Sequence, residues 1–151
     1  MSAQSELLAL ADRVEALTGP CRETDAKIAV AVDGGEIVWK AANYTMELYP
    51  ARRHVSKNHV GGYGNAPVPA YTASLDAAMT LVPDDGFTLA TVRHLWGDEP
   101  DQRAGYAIIN KYRRDEGCEG GKLFDATHTG NAFTPALALT AAALRAKATG
   151  Q

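Results

Sequence analysis

Cysteine is nearly missing from this 151-residue chain, which has Cys21 and Cys118 and no others. Two thiols cannot make a disulfide framework, and neither lies in the two-residue-spaced pair that binds zinc or exchanges thiols, so a reduced, cytoplasmic protein is the expectation. Long apolar runs are missing too. No stretch reaches eighteen apolar residues, and Glu6, Asp12 and Arg13 interrupt the N-terminal apolar pattern, so neither a membrane span nor a signal peptide is expected. Bulky apolar side chains are scarce: 27 alanines nearly equal the Leu, Ile, Val and Phe residues combined. The core should therefore be thin and built by close approach of alanine-rich surfaces. Positive charge is not in excess, and a formal net charge of -3 excludes a whole-surface attraction for duplex nucleic acid. The length excludes a two-domain enzyme.

What the chain does have is helical periodicity at both ends. Leu7, Leu10, Ala11, Val14 and Leu17 recur at three- and four-residue spacing, with Glu6, Asp12, Arg13 and Glu15 off that stripe, and predict an amphipathic helix within 2–18. Pro20 predicts the opening of a second helix that runs to Val32, with Cys21, Ile28, Ala29 and Val32 on its apolar stripe and Glu23 and Asp25 near the positive end of its dipole. Gly34 and Gly35 then accept the left-handed turn that stops it. Thr72 or Ser74 can cap a third helix carrying Leu75, Ala78, Met79 and Val82 on one face, and Pro83 forbids its continuation. Residues 87–96 and 103–113 are rich in β-formers and predict an antiparallel hairpin, to which 123–128 adds a third strand. The chain closes with Thr134 as N-cap, Pro135 at the first helical position and an alanine-rich helix able to lie very close to a sheet. The predicted fold is a single α+β domain over 1–151, a small antiparallel sheet of about three strands covered by α-helices in an α-β-α sandwich.

Residues 36–69 differ from the rest. They predict one extended piece at 36–40 and then a long loop punctuated by Pro50, Gly61, Gly62, Gly64, Pro67 and Pro69. Lys40, Arg52, Arg53 and Lys57 oppose Glu36 and Glu47 there, so the segment is cationic in an acidic chain. Guanidinium forks pair with phosphate and aromatic rings stack on bases, which makes Arg52, Arg53, Trp39, Tyr44, Tyr49, His54 and Lys57 the candidate ligand-binding set. The alternative is structural: the rings hold the loop onto the body and the arginines are solvated or paired with acids.

Other motifs carry less. Gly61, Gly62 and Gly64 lack the Lys-Ser/Thr ending of a phosphate-binding loop, so a turn is expected there. His54, His59, His94 and His128 fit no metal-ligand spacing, and no metal or cofactor is expected. Asp76 or Asp125 could pair with a histidine for hydrolysis, but no nucleophile elbow or triad signature accompanies them.

The stretches GPCRETDAKIAVAV, GEIVWKAANYTMELYPARRHV, VPAYTASLDAAMTLVPDDGF and TPALALTAAALRA resemble small phage and prophage proteins of the phage ABA sandwich type. That resemblance implies helices sandwiching a short antiparallel sheet and a viral or prophage setting, and it brings no catalytic residues. The functional expectation is a non-enzymatic phage- or prophage-encoded protein, acting in anti-defence, that sequesters a small anionic, nucleotide-like ligand or blocks a host protein. Single-stranded nucleic-acid binding and a small His/Asp hydrolase are the alternatives. Expected partners are a host protein or a nucleotide-like small molecule, with no membrane. A homo-oligomer is a further expectation, because a second copy can complete a thin core.

Overall fold

A computed structural model describes residues 2–34, 36–40, 45–49, 66–84, 88–94, 104–114, 116–117 and 122–149. Helix α1 (Ala3–Glu15) opens where the Ser2 hydroxyl accepts the Ser5 amide at 3.2 Å, and it buries Leu7, Leu10, Ala11 and Val14, the stripe its spacing predicts. Helix α2 (Arg22–Asp33) ends at Gly34, whose φ of 73° is the left-handed conformation that the Asp-Gly-Gly run anticipates.

One expectation for 36–69 is corrected. Strand β1 (Glu36–Lys40) is not the sole extended piece: β2 (Thr45–Tyr49) returns antiparallel beside it, and the two-residue β3 (Ala66–Pro67) pairs with β2. The physical reason lies in composition and support. Thr45, Met46, Leu48 and Tyr49 suit an extended backbone, and α2 packs beside both long strands.

Helix α3 (Leu75–Met79) is capped by Ser74, whose hydroxyl accepts the Ala77 amide at 3.3 Å. The expected hairpin forms from β4 (Thr88–His94) and β5 (Gly105–Arg114). The third strand, β6 (Lys122–Ala132), extends well past 123–128 and completes an open antiparallel sheet in the order β4-β5-β6. Helix α4 (Pro135–Thr149) follows, with the Leu137 amide donating to the Thr134 hydroxyl at 3.3 Å. Helices packing on a three-stranded antiparallel sheet make this a small α+β fold.

The layer order puts α4 at the centre. It is apolar on every side rather than along one stripe, and it is buried from Ala136 to Leu144 between the β4-β5-β6 sheet on one side and α1 and α3 on the other. Small residues make this possible. A Cβ added at Gly130 would collide with the Ala138 carbonyl oxygen, and one added at Gly105 would collide with the Thr134 carbonyl oxygen. Helix backbone therefore rests directly on strand backbone. More than half of the buried apolar residues among those described are alanines, as expected of a thin core.

Polar contacts lock these layers together. Arg145 on α4 donates through Nη1 to Glu15 Oε1 (2.7 Å) and the Thr129 carbonyl (2.7 Å), and through Nη2 to Glu15 Oε2 (2.9 Å) and Asp12 Oδ1 (2.8 Å). Glu15 also accepts the Asn131 amide at 2.8 Å, so one ionic group joins α1, α4 and β6. The Glu15 hydrogen bond raises the guanidinium pKa despite partial burial, which leaves Arg145 permanently charged.

A second polar group fastens the segment before α3. The fully buried Asp25 accepts the Thr72 amide (2.8 Å) and Arg22 Nη1 (2.9 Å), while Arg22 also donates to the Val68 (2.8 Å) and Pro69 (3.1 Å) carbonyls. Thr140 on α4 donates to the Tyr71 carbonyl at 2.8 Å. Burial, with Asp33 and Asp25 nearby, pushes the Tyr71 hydroxyl pKa up to about 12. The expected role of Asp25, a dipole partner at the start of α2, thus becomes a buried crosslink.

Two predictions follow from this packing. Gly130→Ala should lower unfolding free energy by about 2 kcal/mol or more through overpacking, whereas Gly19→Ala, with nothing within 4 Å of the added methyl, should stay within about 0.5 kcal/mol; urea denaturation compares them. Asp25→Ala strands the buried Thr72 amide and should cost about 3 kcal/mol, with Asp25→Asn costing less because an acceptor remains.

Candidate functional site

Strand β5 alternates small against large. Gly105, Ala107 and Ile109 are buried toward α4, and the intervening residues, Tyr106, Ile108, Asn110, Tyr112 and Arg114, belong to the opposite face. The register supplies their neighbours: Tyr106 stands between Arg93 and Asn131, Ile108 between Thr91 and Thr129, and Asn110 between Leu89 and Thr127. Among the described residues no helix covers this outer face. Leu89 is 54% exposed and Phe124 59%, unusual values for apolar side chains in a sheet.

The face has internal order. Thr127 donates its hydroxyl to Asn110 Oδ1 at 2.9 Å, and the Tyr112 and Phe124 rings meet edge to face, with centroids 6.0 Å apart and planes at 80°. A register shift between Lys111 and Tyr112 leaves Asp125 as an extra residue on β6 and brings Phe124 opposite Tyr112. Arg114 follows on the same face, with Lys122 opposite it in the ladder.

Charge is distributed to match. The three strands carry Arg93, Lys111, Arg113, Arg114 and Lys122 against Asp125 alone. The acids of this half of the chain, Asp98, Glu99, Asp101, Asp115, Glu116 and Glu119, fall in the connecting segments. The ion pairs that join described residues to one another include those of Arg13, Arg22, Lys27 and Arg145 on the helices.

The set proposed from sequence belongs to residues 36–69. Tyr44, Arg52, Arg53, His54 and Lys57 lie outside the described residues. Trp39 stands in β1 opposite Met46, and Tyr49 stands in β2 opposite Glu36, three rungs away. The residues missed, Arg93, Tyr106, Tyr112, Arg114 and Phe124, had a legible signal: in 105–112 small or aliphatic residues alternate with larger ones, which points the rings away from whatever the small residues pack against.

On the helix side of the sheet, His128 Nε2 lies 3.1 Å from the Thr149 hydroxyl rather than against a carboxylate. Among the described residues no three His, Cys, Asp or Glu side chains gather to hold a metal ion, and no helix is long and apolar enough to cross a membrane. No protein-family model matches the chain, and no curated protein or solved structure matches it either.

Burial and then the nearby Lys111 push the His128 pKa below its ordinary value. The unfolded chain then binds this proton more readily than the folded one, so His128 contributes stability that is complete above about pH 6.5 and lost as pH falls through the lowered folded value. The drop in Tm between about pH 7.5 and about pH 5 should be smaller in His128→Gln than in the parent protein.

Proposed function

We propose that the protein is a non-enzymatic binder of nucleotide-like anions and that the outer face of the β4-β5-β6 sheet is the surface that holds them. One observation carries this reading: three aromatic rings, Tyr106, Tyr112 and Phe124, and two arginines, Arg93 and Arg114, share a sheet face that no helix covers among the described residues. Rings offer a flat apolar partner to a base, and guanidinium groups offer paired donors to phosphate. The face also holds hydroxyls and amides from Thr91, Asn110, Thr127, Thr129 and Asn131, suited to hydrogen bonding with base edges or sugars.

The proposal extends to a phage or prophage setting. A phage-encoded protein that sequesters a nucleotide-like ligand in anti-defence acts by stoichiometric capture and needs no catalytic group. Residues 36–69 bring a second collection of the same side-chain types, Arg52 and Arg53 with Trp39, Tyr44 and Tyr49.

Calorimetry against mononucleotides, cyclic dinucleotides and short oligonucleotides tests the proposal. Arg93→Gln and Arg114→Gln should each weaken binding by about 1.5 kcal/mol, the range of hydrogen bonds to charged groups. Phe124→Ala should cost about 1–3 kcal/mol through lost stacking. Absence of heat across the panel, with a folded protein, overturns the reading, and so does release of phosphate or base from a bound ligand.

A further inference from the structure

We infer that the ligand of the outer sheet face is a single strand of nucleic acid several nucleotides long, lying along β5 across two separated stations; this rests on the nucleotide-binding reading above. The first station is Tyr106 with Arg93 directly opposite it in the register. The second is the Tyr112–Phe124 ring pair followed by the Arg114–Lys122 rung. Tyr106 and Tyr112 are six residues apart on one strand, a separation of about 20 Å at the rise of a β-strand. A mononucleotide occupies one station and leaves the other empty. A strand of about four or more nucleotides, the lower end of the range for sheet-surface sites, reaches both.

The surface between the stations suits such a strand. Leu89 and Ile108 give apolar contact, and Thr91, Asn110, Thr127 and Thr129 present donors and acceptors beside them.

Rival occupants fit less well. A duplex keeps its bases stacked inside and cannot offer them to rings on a flat sheet. A second copy of this chain would set one arginine-bearing face against another, and like charges across an interface repel.

Fluorescence anisotropy with labelled homopolymers of one to twelve nucleotides, in ribo and deoxy series, tests the inference. In at least one series, affinity should rise roughly tenfold or more between two and about six nucleotides and then level off. For the six-mer, Tyr106→Ala and Tyr112→Ala should each weaken binding by roughly 5- to 100-fold, whereas for a mononucleotide no more than one of them should matter. Log affinity should fall with log salt at a slope of about -2, reduced by Arg93→Gln. Far-UV circular dichroism confirms that each variant is folded, and Tyr106→Phe, which keeps the ring, should retain binding.

Equal affinity for a mononucleotide and the six-mer overturns the strand inference and leaves the nucleotide-binding reading standing. Equal affinity for a duplex of the same length overturns it too. Failure of every length, mononucleotide included, removes both. A dimer in sedimentation that Phe124→Asp dissolves would assign the face to a second copy and overturn the inference.

Discussion

The contact of α4 with the β5-β6 pair is the constraint on which the rest of the molecule depends. Gly105 and Gly130 have no room for a methyl group, and the alanines of α4 bring helix and strand backbones together where most proteins interpose bulky side chains. Close approach recovers by proximity what large residues would supply by area, since many short-range contacts form between two smooth surfaces. It also demands accurate alignment. Arg145 provides it, reaching from α4 to Glu15 and Asp12 on α1 and to the Thr129 carbonyl on β6.

Smoothness on one face of the sheet has a counterpart on the other. Strand residues alternate, so a strand that gives small residues to the helix is free to carry rings on its reverse side. In β5, Gly105 and Ala107 face inward while Tyr106 and Tyr112 face outward, an inversion of the usual arrangement in which large apolar groups are inside. Tyr106 and Tyr112 are half-buried there, and Phe124 beside Tyr112 is exposed. The packed face and the ring-bearing face thus arise from a single pattern read on two sides.

Much of the architecture was legible in residue order because its signals are local. Helix ends were marked by Gly34, Ser74, Thr134 and Pro135, whose capping chemistry acts within three or four residues. The β4-β5 hairpin was legible from β-formers around a polar connection. The partners of Arg145 were not, since an ion pair between residues more than a hundred positions apart leaves no local trace, and neither was the bond from the Thr72 amide to Asp25, 47 positions away. Strand β2 was missed because prolines and glycines around 50–69 masked the pairing of 45–49 with β1. The outer face was missed for another reason: alternation marks two faces without saying which one a helix will cover, and the glycine contacts with α4 decide it.

The linkage between Arg145 and Glu15 spans 130 positions of sequence, so the first helix and the last must be present together before either is settled. During synthesis α1 leaves the ribosome first, yet the surface that shelters Leu7, Leu10, Ala11 and Val14 arrives only with the closing residues. Until then this greasy stripe is bare. Helix α1 is made before α4 yet finds its seat only with it, and a nascent chain stalled short of residue 145 would be a natural client for chaperones and proteases.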